Sequence, residues 1–471
     1  MEHIAELKKT AVGFVGEYMD FLEHFSDERV VNPISEVQLE KVRQMEISKD
    51  GKPLEDVVRE MREDIFPYGY QNYHPRFFGF IPGTASPLSW LGDIMTTAYN
   101  RHMAGCADTQ PAMWQIEQRL IRWLNDQVGF PKQAGGCFVS GGSMANLTAV
   151  TVARNSRLPE EDWYRGVAYV SDQTHSSVAK GLRIIGMEQK RIRQIPTDKH
   201  FRMKTDLLRE AIQQDQEAGL KPFLVIATAG TTNTGSVDPL CDIRKICDEY
   251  GLWMHIDGAF GASVVLAKKQ KQVLAGIEAA DSLSWDAHKW LFQTQGCGMV
   301  LVRDQNRLLQ SFSVHPEYLK DLEKDSSLIN PWDLSIELTR PSRCMKLWLT
   351  LQVMGSDRIS ESIDHGFEAI QWAKEAIRRN PDIEILSAEQ LPVLNFRYNP
   401  AGYSEGQKAE LNLRISEMVV ESGYAGIFTT ELNGKKVLRM CTLHPEVTKE
   451  DVLNTVRLME QYYRELVDTA L

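Results

Sequence analysis

The sequence lacks the marks of a secreted, zinc-stapled or membrane-spanning chain. Its seven cysteines are odd in number and include no Cys-x-x-Cys pair, so neither a disulfide framework nor a metal site is predicted. No apolar run approaches the roughly 18 residues that span a bilayer, and the N-terminal stretch from Met1 to Lys9 contains no apolar signal core. We therefore expect a cytoplasmic protein with no bound metal and no membrane partner.

The sequence also has fewer basic than acidic residues. The chain has 53 Lys and Arg residues against 64 Asp and Glu residues, which gives a formal net charge of −11. This balance argues against nucleic acid or an anionic membrane as the main partner. The hydrophobic fraction of 43% and the charged fraction of 25% are ordinary for a globular protein. The length of 471 residues predicts two or three packed domains.

Three segments follow one another along the chain. Residues 1–87 are predicted to form amphipathic helices and then a loop, from Phe66 to Pro87, that is rich in proline, glycine and aromatic residues. Residues 88–344 form the predicted large domain, and residues 345–471 have the pattern of a smaller α+β domain. The aromatic surface of the loop requires a cover, and a subunit partner or a ligand would supply one.

The middle segment has the pattern of an α/β fold. Helices are predicted over Ser143–Asn155 and Pro239–Tyr250, and the short strands between helical stretches are almost entirely apolar. Such strands are typical of a mostly parallel sheet with helices on both faces, and ligands bind these sheets at the carboxyl ends of the strands. The predicted strands are Gly136–Val139, Val167–Val170, Phe223–Ala227, Trp253–Ile256, Ser282–Trp285 and Gly298–Val302.

The last segment combines long helical patterns with short strands. Helical periodicity covers Cys344–Met354 and Ile359–Arg378, and Thr448 with Asp451 resembles a capping box that begins a final helix. Two strands are predicted in this segment, at Val393–Tyr398 and Val437–Cys441.

A polar motif follows each of the first three predicted strands. A glycine-rich turn, Ser-Gly-Gly-Ser143, enters a helix, where backbone N–H groups and the helix dipole favour an anion. A second motif, Ser-Asp-Gln-Thr-His175, and a small polar loop that contains Thr232 follow two further strands. Each motif alone fits an ordinary strand–helix connection, and a single histidine at a strand end is more often structural than catalytic.

Two charged residues mark the ends of the next two strands. Asp257 ends an apolar strand, where an unpaired charge is costly to bury, so a cation should meet it. Lys289 follows another strand, and buried lysines become imine-forming nucleophiles. Taken alone, the two residues fit a structural ion pair. Together with the glycine-rich turn and His175, they match the needs of pyridoxal 5′-phosphate (PLP): a phosphate cradle, a lysine, an acid for the ring nitrogen and a flat residue over the ring.

The ordered motifs resemble the PLP-dependent group II decarboxylases of fold type I, and among these the bacterial aromatic L-amino acid and tryptophan decarboxylases. The resemblance extends from His74 to the C-terminal helix. It implies that Lys289 carries the cofactor covalently, that Asp257 pairs with the pyridine nitrogen and that His175 stacks on the ring. It also implies a homodimer with the site at the interface. The further cofactor contacts that it implies are Ser143, Met144, Thr232, Ala259 and His288.

One position departs from this family. Many of its members have Asn-Pro-His-Lys where this chain has Asp286-Ala-His288-Lys289. An ionised aspartate cannot donate a hydrogen bond to a phosphate, so Asp286 is left out of the predicted phosphate contacts.

The charged loop that begins near Ser313 bears on the type of reaction. The fold type alone also allows transamination, desulfuration and aldol cleavage. In similar decarboxylases this loop closes over the site, and the tyrosine that matches Tyr318 returns a proton to the substrate carbon after carbon dioxide leaves. Related aldehyde synthases commonly have phenylalanine at this position, so Tyr318 favours decarboxylation to an amine.

The predicted substrate pocket is apolar and flat, and its members are Phe80, Ile81, Pro82 and Trp332, with His102 at its edge. This pocket predicts decarboxylation of tryptophan, phenylalanine or a related amino acid to an arylalkylamine such as tryptamine or phenethylamine. Core packing is the alternative role for Phe80 and Trp332. The alternative functions are a decarboxylation-dependent aldehyde synthase, a decarboxylase of a non-aromatic amino acid, and a PLP-binding regulatory or scaffold protein.

Overall fold

A computed structural model describes residues 2–47, 49–103, 111–314, 317, 329–387 and 390–468. Its N-terminal part contains helices and one small antiparallel strand pair. Helix α4 begins where Ser86 caps it by accepting a hydrogen bond from the Ser89 N–H, with Pro87 in the first turn. The elements are α1 (Glu2–Glu23), β1 (Val31–Asn32), α2 (Glu36–Arg43), α3 (Leu54–Glu60), β2 (Gly69–Tyr70) and α4 (Pro87–Tyr99).

The middle of the chain forms a seven-stranded sheet in the order β3-β9-β8-β7-β6-β4-β5. Strand β9 is antiparallel to both of its neighbours, and the other pairs are parallel. The strands are β3 (Gly135–Val139), β4 (Gly166–Ser171), β5 (Ile192–Ile195), β6 (Lys221–Thr228), β7 (Trp253–Asp257), β8 (Ser282–Asp286) and β9 (Gly298–Val302). The helices are α5 (Ala112–Val128), α6 (Gly142–Arg157), α7 (Ser176–Ile184), α8 (Thr205–Glu217), α9 (Leu240–Tyr250), α10 (Ala287–Trp290) and α11 (Asn306–Phe312).

Both faces of this sheet are buried under helices. Along β6, Val225 packs into a core with residues of α5, α8 and α9, whereas its neighbour Ile226 packs into a second core with residues of α6, α7 and α11. Successive strand residues point to opposite faces, so a strand covered on both sides must be apolar throughout. The prediction of a mostly parallel sheet with helices on both faces is confirmed.

The C-terminal part is a four-stranded antiparallel sheet, in the order β10-β11-β13-β12, packed against helices. The Thr448–Asp451 capping box is present: the Asp451 N–H donates to Thr448 Oγ1 at 3.0 Å, and the Thr448 N–H donates to Asp451 Oδ2 at 3.0 Å. The elements are α12 (Cys344–Ile377), β10 (Ile383–Ile385), β11 (Val393–Tyr398), α13 (Glu405–Ser422), β12 (Phe428–Leu432), β13 (Lys435–Cys441) and α14 (Lys449–Asp468).

The two helical patterns predicted after residue 343 join in α12, which is interrupted at Gly355 with φ 74° and ψ 162°. The predicted domain boundary at 344/345 falls at the start of this helix, and the three-domain division stays a prediction. Within the described ranges, none of the helices has the length and apolar character needed to cross a membrane.

Candidate active site

A cavity of about 380 Å³ opens at the carboxyl ends of the sheet strands. Its walls come from the segments that follow β3, β4, β6, β7 and β8, as the strand-end argument predicts. The structure brings the predicted cofactor contacts together here, because all eight of them line this cavity: Ser143, Met144, His175, Thr232, Asp257, Ala259, His288 and Lys289.

Asp257 is the last residue of β7, and its side chain is buried beside the cavity. One carboxylate oxygen, Oδ1, accepts hydrogen bonds from the Ala259 N–H at 3.1 Å and from the Ser284 hydroxyl at 3.2 Å. The other oxygen, Oδ2, accepts from the amide of Asn146 at 3.0 Å. Three hydrogen bonds therefore hold the two oxygens of this carboxylate in place. A buried carboxylate fixed in this position suits a protonated pyridine nitrogen.

His175 caps the N-terminus of α7 with its ring. Its Nδ1 accepts a hydrogen bond from the Ser177 N–H at 3.2 Å. Because Nδ1 is an acceptor, the neutral ring carries its hydrogen on Nε2. Burial lowers the pKa of His175, Asp257 opposes that change and Lys289 adds to it. The cavity therefore has a flat, neutral imidazole on its wall.

Lys289 lies in the short helix α10, directly after β8. Its ammonium nitrogen is 3.3 Å from Asp286 Oδ2, and its side chain is one-quarter exposed. His288 Nε2 lies 3.6 Å from the same oxygen, and burial is the largest cause of the lowered pKa of His288. The Thr84 hydroxyl donates to the Lys289 carbonyl at 2.8 Å, which ties the aromatic loop to this turn.

The anion end of the cavity is the turn between β3 and α6. A Cβ atom placed on Gly142 would lie 2.8 Å from Asp286 Oδ2, so this turn has no room for a larger side chain unless Asp286 moves. The N-terminus of the long helix α6 faces the cavity through Ser143 and Met144, where unpaired N–H groups and the helix dipole attract a phosphate. A lysine, a buried acid, a flat ring and an anion cradle thus fit PLP.

Asp286 is the member of the cavity that fits a phosphate least well. It is 1% exposed, and its Oδ1 has no hydrogen-bond partner among the described residues. A buried carboxylate oxygen with no donor repels a neighbouring anion. Among the described residues, Asp286 pairs with Lys289 and lies near His288, and its own carboxylate offers no hydrogen-bond donor to a phosphate oxygen.

The predicted substrate contacts lie elsewhere. Of the described residues that line the cavity, none is Phe80, Ile81, Pro82, Trp332 or His102. Trp332 is buried in a short helical turn beside β3, and His102 lies 3.1 Å from the Thr339 hydroxyl at a separate hollow. Phe80 is half exposed and stacks on Phe428, with 5.0 Å between ring centroids. Their substrate role stays a prediction, and Tyr318 lies outside the described residues.

Asn146 and Arg439 are two of the residues at the cavity that were not predicted as site residues. Asn146 follows the glycine-rich turn and contacts Asp257, as described above. Arg439 of β13 donates to the carbonyl oxygens of Phe80, Thr232 and Asn233, so it joins the C-terminal sheet to the cavity wall. In the sequence, Asn146 comes three residues after Ser143 of the glycine-rich turn, but only its hydrogen bonds in the structure show that it lies beside Asp257. No local signal singles out Arg439, because its partners are all backbone carbonyls distant in sequence.

This combination of a mostly parallel sheet, a strand-end lysine and acid, and a helix N-terminus defines the fold type I class of PLP enzymes. Residues 37–399 match the pyridoxal-dependent decarboxylase conserved domain. The chain is 35% identical over 457 residues to an aromatic-L-amino-acid decarboxylase of Bacillus atrophaeus, covering 95% of this chain and 93% of that one. It is 29% identical to a phenylacetaldehyde synthase of Arabidopsis thaliana, covering 95% of this chain and 93% of that one.

A comparison with solved structures also finds a PLP-binding protein of the same fold. Oryza sativa TDC, crystallised with PLP and tryptamine, superimposes with a TM-score of 0.91 at 26% identity, and the match covers 99% of this chain and 98% of that one. The chain belongs to the pyridoxal-dependent decarboxylase family, its cofactor is PLP, and it is a group II amino acid decarboxylase.

Proposed function

We propose that the enzyme decarboxylates aromatic L-amino acids, tryptophan, phenylalanine and related compounds, to arylalkylamines and carbon dioxide. The observation that carries this proposal is the convergence of Lys289, Asp257 and His175 on one cavity in a chain that is 35% identical to an aromatic-L-amino-acid decarboxylase. When bound, PLP supplies an electron-withdrawing ring that takes up the electron pair of the broken bond to the carboxylate.

The protein's own residues prepare this reaction. We assign covalent attachment of the cofactor to Lys289, whose nitrogen lies in the cavity and pairs with Asp286. Asp257 is assigned to the ring nitrogen, because its two oxygens already accept three hydrogen bonds that hold the charge in place. His175 is assigned to the face of the ring, since its Nδ1 is engaged by Ser177 and its orientation is thereby fixed.

The apolar surface beside the cavity supports an aromatic substrate. Phe77, Phe80 and Phe428 form a ring cluster with centroid distances from 5.0 to 6.1 Å, and the half-exposed Phe80 lies at its edge. Its backbone is tied to the cavity wall through Arg439, which also holds Thr232. We propose that this surface, with Ile81 and Pro82, forms part of the substrate pocket. We propose that Trp332 and His102 also belong to the substrate pocket. We further propose that the protein is a cytoplasmic homodimer and that the partner subunit completes this pocket.

A second candidate product deserves a test because one of the similar proteins is a phenylacetaldehyde synthase. An aldehyde synthase consumes O2 and water and releases carbon dioxide, an aldehyde, ammonia and hydrogen peroxide in place of the amine. Tyr318 favours the amine, since a tyrosine hydroxyl returns a proton to the substrate carbon and so ends the reaction without an oxidant. The loop tyrosine is therefore the residue on which the choice between products depends.

Incubation of the PLP-loaded protein with each of the twenty amino acids, followed by mass spectrometry of amines and aldehydes, tests the proposal. We expect tryptamine or phenethylamine in step with carbon dioxide, and none from the Lys289→Ala variant. Amine from only acidic or aliphatic amino acids would refute the aromatic assignment. Tyr318→Phe is expected to keep carbon dioxide release and to divert product toward aldehyde; unchanged amine yield would remove Tyr318 from the reaction.

A further inference from the structure

Behind the cavity, a set of buried polar side chains leads from Asp257 into the protein core. Its members are Trp253, His255, Ser282 and Asn146, each no more than 4% exposed. The parallel register of β7 and β8 places His255 next to Ser282 and Asp257 next to Ser284. Asn146 reaches this row from α6, which packs on the same face of the sheet. The roles proposed above for Lys289, Asp257, His175 and Tyr318 do not involve these four residues.

The direction of each hydrogen bond in this row can be assigned from the chemistry of its donors. The Trp253 indole can only donate, and it donates to the Ser282 hydroxyl at 2.8 Å. At the other end of the row, the Asn146 amide nitrogen must face Asp257, because a carboxylate only accepts. Asn146 Oδ1 therefore faces His255 Nε2, and His255 Nδ1 is left to accept from the Ser282 hydroxyl at 2.9 Å. The neutral His255 ring therefore carries its hydrogen on Nε2, which donates to the Asn146 carbonyl oxygen at 2.9 Å.

The end of the row is the amide nitrogen of Asn146. Asn146 Nδ2 donates to Asp257 Oδ2 at 3.0 Å, and Asn146 Oδ1 accepts from His255. The opposite amide orientation would place two oxygens against each other, since a carboxylate only accepts. Burial lowers the pKa of His255 to about 4, against the opposing effect of Asp257. The ring is neutral at physiological pH, so the row keeps its direction.

The same amide has a second branch. The other hydrogen of Asn146 Nδ2 is donated to the Ser177 hydroxyl at 3.1 Å. The Ser177 hydroxyl lies 2.8 Å from His175 Nδ1, an acceptor that also receives the Ser177 N–H. One buried asparagine is therefore bonded to Asp257 directly and to His175 through Ser177. The amide oxygen and both amide hydrogens of Asn146 therefore take part in hydrogen bonds.

We propose that Asn146, oriented by His255, is a positioning residue that sets both the charge-bearing geometry of Asp257 and the ring orientation of His175. The inference rests on the roles proposed above for Asp257 and His175. In this arrangement the donors at Asp257 are in place before PLP binds. The carboxylate then meets the ring nitrogen as an oriented acceptor, and His175 keeps Nε2–H toward the cavity.

Two measurements on the holoenzyme test the Asp257 branch: the dissociation constant for PLP, and the ¹⁵N resonance of the pyridine nitrogen in ¹⁵N-labelled PLP. Asn146→Asp replaces the donor by an acceptor of the same shape and places a like charge beside Asp257. We expect the dissociation constant to rise about tenfold, the loss of one charge-assisted hydrogen bond, and the resonance to move toward the unprotonated ring.

Asp257→Asn separates this inference from the proposed role of Asp257. If Asp257→Asn changes neither measurement, the pairing of Asp257 with the ring nitrogen is wrong. If Asp257→Asn changes both and Asn146→Asp changes neither, the positioning role of Asn146 is wrong. The matched control is Asn412→Asp, at another fully buried asparagine that bonds backbone groups near Tyr398. It is expected to lower stability and to leave both PLP measurements at the wild-type values.

Two further variants keep the test decisive if Asn146→Asp does not fold. His255→Leu removes the donor that orients Asn146 and is expected to raise the dissociation constant severalfold, whereas His255→Gln keeps a donor there and should restore most of the affinity. Equal effects of the two variants would refute the orientation by His255. Ser177→Ala breaks the other branch alone: we expect altered visible circular dichroism of bound PLP with an unchanged nitrogen resonance, and the reverse pattern would overturn the branching.

Discussion

At the scale of single residues, the site depends on how charges are paired in a buried cavity. Asp257 has three donors on its two oxygens, whereas one oxygen of Asp286 has no partner within the described part of the chain and the other pairs with Lys289. The two carboxylates thus belong to different environments on neighbouring strands. Asp257 suits a cationic ring nitrogen, and Asp286 places a second carboxylate at the turn where we propose that the phosphate binds.

The difference leads to a prediction for Asp286→Asn. The variant removes a like charge from the anion end of the cavity and adds an amide donor, so PLP should bind more tightly. At the effective dielectric of such sites, one unit charge several ångströms away contributes roughly 1–2 kcal/mol, or about tenfold in the dissociation constant. Fluorescence titration of unloaded protein with PLP measures the change.

A surface substitution of the same charge serves as the control. Asp242→Asn lies at an exposed pair with Lys245 on α9 and should leave the PLP constant within twofold of wild type. Weaker PLP binding by Asp286→Asn would show that the ion pair with Lys289 outweighs the repulsion.

At the scale of elements, the sequence predicts best where the environment is uniform. Strands buried on both faces are apolar throughout, so six of the seven strands of the large sheet were found within two residues at each end. The missed strand, Ile192–Ile195, lies at the sheet edge, and only its two end residues are buried. Helix α13 was also missed, although Leu411, Ile415 and Val419 are buried at helical spacing and give the signal that identifies it.

The residues of the site also fall into those that the sequence predicts and those that it does not. Lys289, Asp257 and His175 follow predicted strands, and strand ends of a parallel sheet must meet at one edge, so their convergence was predictable. The bonds of Asn146 and Arg439 depend on side-chain directions and on contacts between elements far apart in sequence. Periodicity carries no information on such contacts. The five predicted substrate contacts rested on the apolar, flat character of their side chains and on family resemblance for His102 and Trp332, and the structure does not place them in the cavity lining among the described residues.

A buried ion pair holds several of these elements together. Arg340 donates two hydrogen bonds to Glu117 of α5, at 2.8 and 2.6 Å, and the two side chains are 1% and 0% exposed. Glu117 also accepts from the Phe138 N–H of β3. Burial opposes the charge of Arg340, but Glu117 outweighs it and raises the arginine pKa. The pair therefore links α5, β3 and the segment before α12.

We expect Arg340→Met to destabilise the protein strongly, because it leaves the Glu117 carboxylate buried without its partner. Removing one member of such a pair costs about 3–5 kcal/mol, whereas replacing both with apolar residues costs far less. Urea unfolding followed by far-UV circular dichroism should show a large loss for Arg340→Met and partial recovery for Arg340→Met/Glu117→Leu. Arg209→Met, at an exposed pair with Glu249, should change little. A double variant as unstable as Arg340→Met would contradict this account.

At the scale of the whole molecule, apolar side chains remain exposed on two N-terminal helices. On α4 the exposed residues are Leu91, Ile94, Met95 and Tyr99, at spacings that place them on one helical face. Helix α1 exposes Phe14, Val15 and Met19. Exposed apolar residues grouped on a helix face are typical of a protein interface. This surface is the one that we propose the partner subunit covers in the homodimer.

The substitution Ile94→Glu, combined with Met95→Glu, places two charges in this surface and should convert the proposed dimer to a monomer of 53.5 kDa, as measured by light scattering. Tyr164→Glu, at an exposed aromatic residue on another part of the chain, should leave the proposed dimer intact. The predicted substrate contacts do not line the cavity of their own chain, which is why we propose that the partner subunit completes the pocket. The monomer should therefore lose amine formation while its secondary structure is retained. A monomer as active as wild type would place the whole substrate pocket within one chain.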